Sequence, residues 1–410
     1  MSKRPWGYQP INERPEPDWE LNSQTKSVRA GLARSGFGET SEALYLTSGF
    51  TYSSAEEAET AFKDELDHYL YGRFANPTIG MFENRLAELE GAEACIATGS
   101  GMSAMFASIA CLVEKGDRVV ASASMFSSCH VVLTEFLPKW GVTTELIKGN
   151  DRSTWEAALS KPTKAVFIET PSNPLMEIVD IKMVTEIAHK VGAIVIVDNV
   201  MASPVYQKPL QLGSDVVMYS ATKHIDGQGR VLGGAVLGSA KYIYEQFQPF
   251  IRHTGPALSP FNAWVMVKSL ETMQMRVERM NSNAQKVAEF LEKNPKIRSV
   301  KYPGLKSHPN HELAMKQMNG AGGTTLGIEF NGDKNAAFKF MNSLRVIDIS
   351  NNLGDSKSLI THPASTTHRR LAPEVQADMG ITESTLRLSV GLEHVDDLIK
   401  DLEQALARVK

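Results

Sequence analysis

Short apolar runs alternate with stretches of helical periodicity through the middle of the chain. The runs are β-rich and continuously apolar, and between residues 95 and 220 they read CIATGS, DRVVASAS, TKAVFIET, AIVIVDNV and DVVMYS. Continuous apolar runs are typical of strands buried on both faces, because an exposed face would produce alternation. The stretches between them, such as MVTEIAHKVG, predict helices that cover the sheet. The pattern therefore predicts an α/β domain with a mostly parallel sheet flanked by helices, placed at residues 61–260.

The rest of the chain predicts an arm before this domain and a smaller unit after it. Residues 1–60 open with a segment rich in Pro, Asn, Glu and Ser and are interpreted as an N-terminal arm. Residues 80–94 have apolar positions at helical spacing, with Gly91 as a stop. A long helical stretch over 259–293 leads into a C-terminal domain, 261–410, where strands such as TTLGIEF and TLRLSVGL alternate with helices. This second pattern indicates an α+β architecture.

Composition narrows the class of protein. The 410 residues carry a formal net charge of −4, which leaves no electrostatic footprint for nucleic acid or an anionic membrane. No apolar run approaches the ~20 residues of a membrane helix, and the first residues lack the apolar stretch of a signal peptide. The three cysteines are an odd number without metal-ligand spacing, which argues against a disulfide framework or a zinc site. A cytoplasmic protein without a metal is predicted.

Two of the predicted strands end in residues suited to covalent chemistry, at the strand ends where doubly wound sheets bind ligands. The run AIVIVDNV ends in Asp198, which is either a cap or a carboxylate that keeps a pyridinium nitrogen protonated. DVVMYS runs directly into A-T-K-H and a glycine-rich stretch. The amine of Lys223 is flanked there by small and apolar residues, so desolvation should lower its pKa and favour Schiff-base chemistry. The hydroxyls of Ser220 and Thr222 are available to a nearby phosphate.

Two further strand ends are compatible with the same ligand. In ATGSGMSAM a strand turns into a helix at small residues, which lets backbone N–H groups approach an anion at the helix N-terminus. A tight turn without a ligand explains this motif equally well. In ETPSNP, Asn173 lies between two prolines just past a strand. It either donates a hydrogen bond to a phenolic oxygen or belongs to a plain proline-rich turn.

Taken together, these motifs resemble the Cys/Met-metabolism enzymes that use pyridoxal 5′-phosphate (PLP), the cystathionine γ-synthase family of fold-type I. The resemblance extends from about residue 40 to the end of the chain. Its most specific motifs are YGRFANPT, ATGSGMSAM, ETPSNP, VIVDNV, YSATKHIDGQGRVLGG, HTGPALSPFNAW and LRLSVGLE. It implies PLP as the cofactor and the fold-type I architecture, a large PLP-binding domain followed by a smaller α+β domain.

The resemblance also implies a role for individual residues. Lys223 would be the catalytic residue and carry PLP as a Schiff base, while Asp198 would pair with the pyridine nitrogen. Arg387 would bind the substrate α-carboxylate through its two-pronged guanidinium. The implied cofactor-binding residues are Tyr71, Arg73, Ser100, Gly101, Met102, Phe126, Asn173, Asp198, Ser220, Thr222 and Lys223, and the implied substrate-binding residues are Asn352, Leu353 and Arg387.

Family members place Tyr71 and Arg73 at the phosphate of a neighbouring subunit, so the resemblance implies a homotetramer built from two active dimers. An amino acid and sulfide are the expected small-molecule partners, and neither nucleic acid nor a membrane is expected.

Two departures from the family pattern indicate which reaction to expect. Many members stack a tyrosine on the PLP ring where this chain has Phe126, which can stack but supplies no hydroxyl for proton transfer. The segment N-L-G-D-S-K at 352–357 replaces the S-L-G-x-x-E-S-L pattern of many lyases and synthases. With KHIDGQG, these features most resemble the family members that carry out γ-replacement on an O-acylhomoserine, first of all O-succinylhomoserine, and the resemblance implies sulfide as co-substrate and homocysteine for methionine biosynthesis as product.

Several alternatives stay open at this point. They are the O-acetyl or O-phosphoryl ester, methanethiol as the sulfur donor, and cystathionine γ-synthase or methionine γ-lyase activity. A ligand-sensing regulator built on the same fold is a third class, but the N-terminal segment is too short and too weakly basic for a DNA-binding unit.

Overall fold

The larger of two sheets forms the centre of the computed structural model, which describes residues 19–409. The predicted arm, residues 1–60, lies in part outside this range. The strands of the sheet are β1 (Ala94–Thr98), β2 (Arg118–Ser122), β3 (Thr143–Ile147), β4 (Ala165–Glu169), β5 (Ile194–Asp198), β6 (Val216–Ser220) and β7 (Gly234–Gly238). Their order is β1-β7-β6-β5-β4-β2-β3, and only β7 runs antiparallel to its neighbours. The predicted mostly parallel sheet is thus confirmed.

The helices of the described chain cover this sheet and a second one. They are α1 (Ser23–Arg29), α2 (Ala55–Phe62), α3 (Pro77–Glu90), α4 (Gly101–Ala110), α5 (Ser127–Val131), α6 (Arg152–Ala158), α7 (Ile181–His189), α8 (Ser203–Tyr206), α9 (Gln248–Thr254), α10 (Pro260–Leu270), α11 (Met273–Glu292), α12 (His311–Gln317), α13 (Lys334–Met341), α14 (Pro373–Asp378) and α15 (Val395–Arg408). The predicted helix before β1 is α3, and it ends at Gly91 in the left-handed conformation that glycine adopts without strain.

Two strands of the large sheet have no counterpart in the prediction, and each has a physical reason. β3, at the sheet edge, is buried only at its last residue and is half-buried or exposed before it, so TTELI lacks a continuous apolar run. β7 reads GAVLG, and glycine lowers strand propensity although all five residues are buried. Burial between β1 and β6 supplies the stability that the local sequence of β7 does not.

The second sheet belongs to the C-terminal part of the chain. Its strands are β8 (Ile297–Lys301), β9 (Thr325–Phe330), β10 (Asp348–Ile349), β11 (Leu359–Thr361) and β12 (Thr385–Ser389), in the order β10-β11-β12-β9-β8. The pairings are antiparallel except β10 with β11. The amphipathic α15 packs its apolar side chains against this sheet. The α/β class with a second, α+β unit is therefore confirmed.

The predicted continuous helix over 259–293 is instead two helices, α10 and α11, interrupted at residues 271–272. Apolar residues of α10 and of the first turns of α11, such as Met266 and Val277, pack in a cluster with the large sheet. Later residues of α11, such as Val287 and Leu291, pack with the second sheet. α11 therefore joins both cores, and the division at residues 260 and 261 stays a prediction. Within residues 19–409 no helix combines the length and the apolar character needed to cross a bilayer.

Candidate active site

The carboxyl ends of β1, β4, β5 and β6 meet at one edge of the large sheet. Glu169 of β4 is in register with Asp198 of β5, and Ser220 ends the neighbouring β6. Thr98 of β1 and Ser220 both lie opposite Gly234 of the intervening β7. The polar strand ends picked out in the sequence are therefore brought to one place by the topology, as expected for this class of sheet.

Lys223 lies just past β6 and points to the second unit of the chain. Its Nζ donates a hydrogen bond of 2.6 Å to Oδ1 of Asn352. Burial, and secondarily the nearby charge of Arg387, lower the pKa of Lys223 from 10.5 to about 8. An amine with this pKa is partly neutral near physiological pH, and the neutral form is the nucleophile in Schiff-base formation.

Asp198 is a buried carboxyl with one engaged oxygen. Its Oδ1 accepts a hydrogen bond of 3.0 Å from the backbone N–H of Val200, and its other oxygen accepts none from residues 19–409. Burial raises the pKa of Asp198 to about 7. A carboxyl desolvated in this way is stabilised by a cationic hydrogen-bond donor, and a protonated pyridine nitrogen is such a donor.

The start of α4 packs directly on the end of β6. A Cβ atom on Gly101 would lie 2.5 Å from Cβ of Ser220, so only glycine allows this approach. Ser100 caps the same helix, its Oγ accepting from the N–H of Ser103 at 3.1 Å. Thr222 binds the N–H of Gly233 through its hydroxyl at 3.1 Å. The first turn of α4, with Met102, is thus next to the hydroxyl-bearing segment that follows β6.

Arg387 of β12 is a buried cation whose hydrogen bonds within residues 19–409 reach neutral oxygens. Nη1 donates to Oδ1 of Asn173 at 3.0 Å, and Nη2 donates to the carbonyls of Asn351 and Asn352 at 2.8 and 3.0 Å. Among the described residues Nε has no hydrogen-bond partner, and burial lowers the pKa of the guanidinium to about 10. A buried guanidinium in this state is stabilised by an added carboxylate.

Asn173 has its amide oriented by that same contact. Because Oδ1 accepts from Arg387, the NH₂ group is the end left to donate to a ligand. Its backbone N–H donates to Oε1 of Glu169 at 2.7 Å. The prediction that Asn173 donates to a phenolic oxygen therefore has the right atom available, and the role itself stays a prediction.

The other predicted residues of this region occupy its rim. The ring of Phe126 is half-buried and meets the ring of His368 edge-on, with centroids 6.5 Å apart. Leu353 is buried against Met176 and Met201, which indicates a packing role beside Asn352. The edge-on contact with His368 therefore helps to position the ring of Phe126.

Tyr71 and Arg73 are not brought to the Lys223 site of their own chain by any hydrogen bond within the described residues. Arg73 donates to the carbonyl of Arg252 and lies over the rings of Tyr71 and Phe74. Tyr71 is 43% exposed. Both side chains are thus presented at the surface of the chain.

Sequence reasoning missed two residues of the site, Glu169 and His368. Glu169 ends the run TKAVFIET in the same way that Asp198 ends its strand, so an acidic residue closing a buried strand was the available signal. His368 had no such signal, since its position beside Phe126 and Arg387 arises only from the chain packing. Burial lowers the pKa of His368 to about 4, so the ring is neutral.

One group of potential metal ligands lies in the same place. Ligand atoms of Cys129, Glu169 and Asp198 are within 4.8 Å of one another. A metal ligand has to be deprotonated and free to bind, whereas burial raises the pKa of the Cys129 thiol and both oxygens of Glu169 already accept main-chain hydrogen bonds. The three groups therefore suit a metal ion poorly.

The site fits PLP carrying an amino acid. Four features match the parts of the cofactor. The amine of Lys223 matches the aldehyde, the carboxyl of Asp198 the ring nitrogen, and the amide of Asn173 the phenolic oxygen. The start of α4, beside hydroxyl groups, matches the phosphate. The buried guanidinium, whose Nε has no partner in the part of the chain that the structure describes, matches the carboxylate of an amino acid. Fold and site together define the class of PLP-dependent enzymes of fold-type I.

Comparison with known proteins identifies the family within that class. The family described as "Cys/Met metabolism PLP-dependent enzyme" matches residues 24–407. The chain belongs to this family, and PLP is its cofactor.

Three similar proteins illustrate the range of the family. The chain is 55% identical to the O-succinylhomoserine sulfhydrylase of Mycobacterium tuberculosis H37Rv over 390 residues, 94% of this chain and 96% of that protein. It is 41% identical to the L-methionine gamma-lyase of Porphyromonas gingivalis W83 over 93% of this chain and 96% of that one. A crystal structure from Campylobacter jejuni, described as an O-acetylhomoserine (thiol)-lyase with an N′-pyridoxyl-lysine-5′-monophosphate, superimposes with a TM-score of 0.90 at 32% identity. The superposition covers 94% of this chain and 100% of the Campylobacter jejuni chain.

Proposed function

We propose that the protein makes homocysteine for methionine biosynthesis from O-succinylhomoserine and sulfide, with PLP held on Lys223. In this γ-replacement the bond between Cγ and the ester oxygen breaks, succinate leaves, and a carbon–sulfur bond forms at Cγ. The observation that carries the choice of substrate is the 55% identity to an O-succinylhomoserine sulfhydrylase along 94% of the chain. The buried Arg387 beside Lys223 supports an amino acid as the substrate.

Each predicted residue has a defined task in this reaction. Arg387 binds the α-carboxylate and thereby places Cα near Nζ of Lys223. PLP, when bound, supplies an electron sink conjugated with Cα. Lys223 removes the Cα proton and then a Cβ proton, which allows succinate to leave, and it returns protons after sulfide has added. Asp198 keeps the pyridine nitrogen protonated, and Asn173 donates to the 3-oxygen.

The rim of the site supports a small sulfur nucleophile. Phe126 offers an apolar face where many relatives have a tyrosine hydroxyl, so proton transfer falls to Lys223 alone. Sulfide has no amino or carboxyl group for the site to bind, whereas cysteine as the sulfur donor would require residues that bind both groups. The absence of the tyrosine hydroxyl also disfavours methionine γ-lyase activity. That activity stays the second candidate because the chain is 41% identical to an L-methionine gamma-lyase.

A product assay tests the proposal. Purified protein with PLP is given O-succinyl-, O-acetyl- or O-phosphorylhomoserine, each combined with sulfide, methanethiol or cysteine, and methionine is tested alone. We expect homocysteine from the succinyl ester and sulfide at the highest kcat/KM. Faster formation of cystathionine from cysteine, or of methanethiol from methionine, would replace the proposal with the corresponding relative's activity.

We also propose that the active unit is a dimer, within a homotetramer, in which Tyr71 and Arg73 reach the phosphate bound by a second subunit. Support comes from the exposure of Tyr71 and of apolar side chains in the same part of the chain, namely Phe37 (98%), Leu46 (67%) and Phe62 (61%). Apolar surface of this kind is typical of subunit contacts. The three cysteines form no disulfide, which fits a reducing compartment, and we propose that the protein is cytoplasmic.

Mixing two inactive variants tests the shared site. Lys223→Ala and Arg73→Ala are each expected to be almost inactive alone. In a hybrid dimer, one of the two sites has both native residues, and half of the dimers in an equal mixture are hybrids. Co-expression with two different tags should therefore restore about a quarter of the wild-type activity per subunit. Activity no higher than that of the separate variants would contradict the proposed sharing.

A further inference from the structure

Glu169 is a carboxyl that the proposed chemistry does not use, yet it lies at the centre of the site. Its side chain is buried at the end of β4. Oε1 accepts from the backbone N–H of Asn173 at 2.7 Å, and Oε2 accepts from the backbone N–H of Phe126 at 2.6 Å. Both oxygens are thus engaged by main-chain donors from two different connections.

These two hydrogen bonds join segments that are far apart in sequence. Phe126 precedes α5, after β2, whereas Asn173 lies in the connection after β4. The side chain of Asn173 in turn accepts from Arg387 of the second sheet. A single carboxyl therefore determines the separation of the stacking ring and the amide donor, and Asn173 extends the constraint to the guanidinium.

The same carboxyl contributes charge to the site. The titratable and charged groups facing it are Asp198 on β5, Arg387 on β12 and Cys129 on α5. Burial and the neighbouring Asp198 raise the pKa of Glu169, while the two N–H donors and Arg387 oppose that shift. The two adjacent carboxyls consequently titrate as a pair, and each makes ionisation of the other less favourable.

We propose that Glu169 is a positioning residue for the cofactor: it holds Phe126 and Asn173 at a defined separation and places a second carboxyl beside Asp198. The proposal rests on PLP binding at Lys223 and not on the identity of the ester or the sulfur donor. A different substrate in the product assay would therefore leave it standing.

The test uses the full-length protein with PLP removed and measures its affinity for added PLP across pH. Glu169→Gln presents an NH₂ group to one of the two N–H donors, so one hydrogen bond is lost. We expect PLP affinity to fall about ten- to hundredfold at a pH where Asp198 is ionised. Because the adjacent charge is removed, the pH at which affinity changes through Asp198 should move downwards.

Glu177→Gln is the matched control. Glu177 lies in the same connection, and its carboxylate accepts from the hydroxyl of Ser124 rather than from a predicted site residue. Its affinity and pH profile should equal those of the wild type. Wild-type affinity in Glu169→Gln, or weakened binding with an unmoved pH profile, would each overturn the proposal.

Glu169→Asp, with a shorter carboxylate, separates the effect of geometry from that of charge. It also keeps the proposal testable if Glu169→Gln does not fold. Glu169→Asp keeps the negative charge but cannot reach both donors. It should bind PLP more weakly while retaining the wild-type pH profile. Thermal unfolding of each PLP-free variant establishes that it is folded. If Glu169→Gln fails to fold, Glu169→Asp binding PLP as tightly as the wild type would overturn the proposal.

Discussion

Replacing Lys223 with alanine is expected to eliminate both the covalent attachment of PLP and turnover. The amine has its pKa lowered to about 8 by burial, and it is the nucleophile and base of the proposed reaction. The visible absorbance of lysine-bound PLP at ~420 nm should disappear. Turnover of O-succinylhomoserine should fall by about a thousandfold or more, since a general base is lost together with the attachment point.

The control for this measurement is the removal of a lysine that lies away from the site. Lys241 is exposed and follows β7, whose last residue pairs with the first residue of β6, so it lies at the opposite edge of the sheet. Lys241→Ala should retain the absorbance and the activity. Full-intensity absorbance in Lys223→Ala would refute the assignment of the cofactor lysine.

Replacing Asp198 with alanine is expected to give the second large effect. One oxygen of the carboxyl accepts no hydrogen bond from the described residues, and burial raises the pKa to about 7, so a cationic partner stabilises the ionised form. Without it the pyridine nitrogen loses its proton more readily and the electron sink weakens. We expect weak retention of PLP in gel filtration and a fall in turnover of about a hundredfold or more, as when one preorganised electrostatic partner is removed.

Asp198→Asn separates charge from shape, because the amide keeps the size of the side chain. Its turnover should also be low at saturating PLP, with improved retention compared with Asp198→Ala. Near-normal turnover of either variant with added PLP would exclude the role of Asp198 at the pyridine nitrogen.

The local sequence was sufficient to predict an element and its functional residue where the buried apolar residues and that functional residue lie in the same short segment. β5 and β6 are continuously apolar and end in Asp198 and Ser220, so both the strands and their polar ends could be recognised. The motifs around Lys223 and Arg387 indicated the family, which the comparisons confirm, and PLP with it. The roles of single residues in binding PLP or substrate remain predictions.

Features that depend on partners distant in the chain could not be read in this way. β7 is glycine-rich and becomes a strand because β1 and β6 enclose it. Glu169 resembles an ordinary strand-end acid until its hydrogen bonds to Phe126 and Asn173 are seen. His368 comes to Phe126 from a segment more than two hundred residues away.

The sequence by itself determined the class of sheet, the family, the cofactor and the lysine most suited to carry it. Apolar periodicity and small-residue motifs are properties of short segments, and a chain carries them whether or not it is folded. Only the tertiary structure decided which charges face each other. It buried Arg387 against neutral oxygens, lowered the pKa of Lys223 and set Glu169 beside Asp198. Desolvation and hydrogen bonding depend on distances between segments, and those distances exist only once the chain has folded.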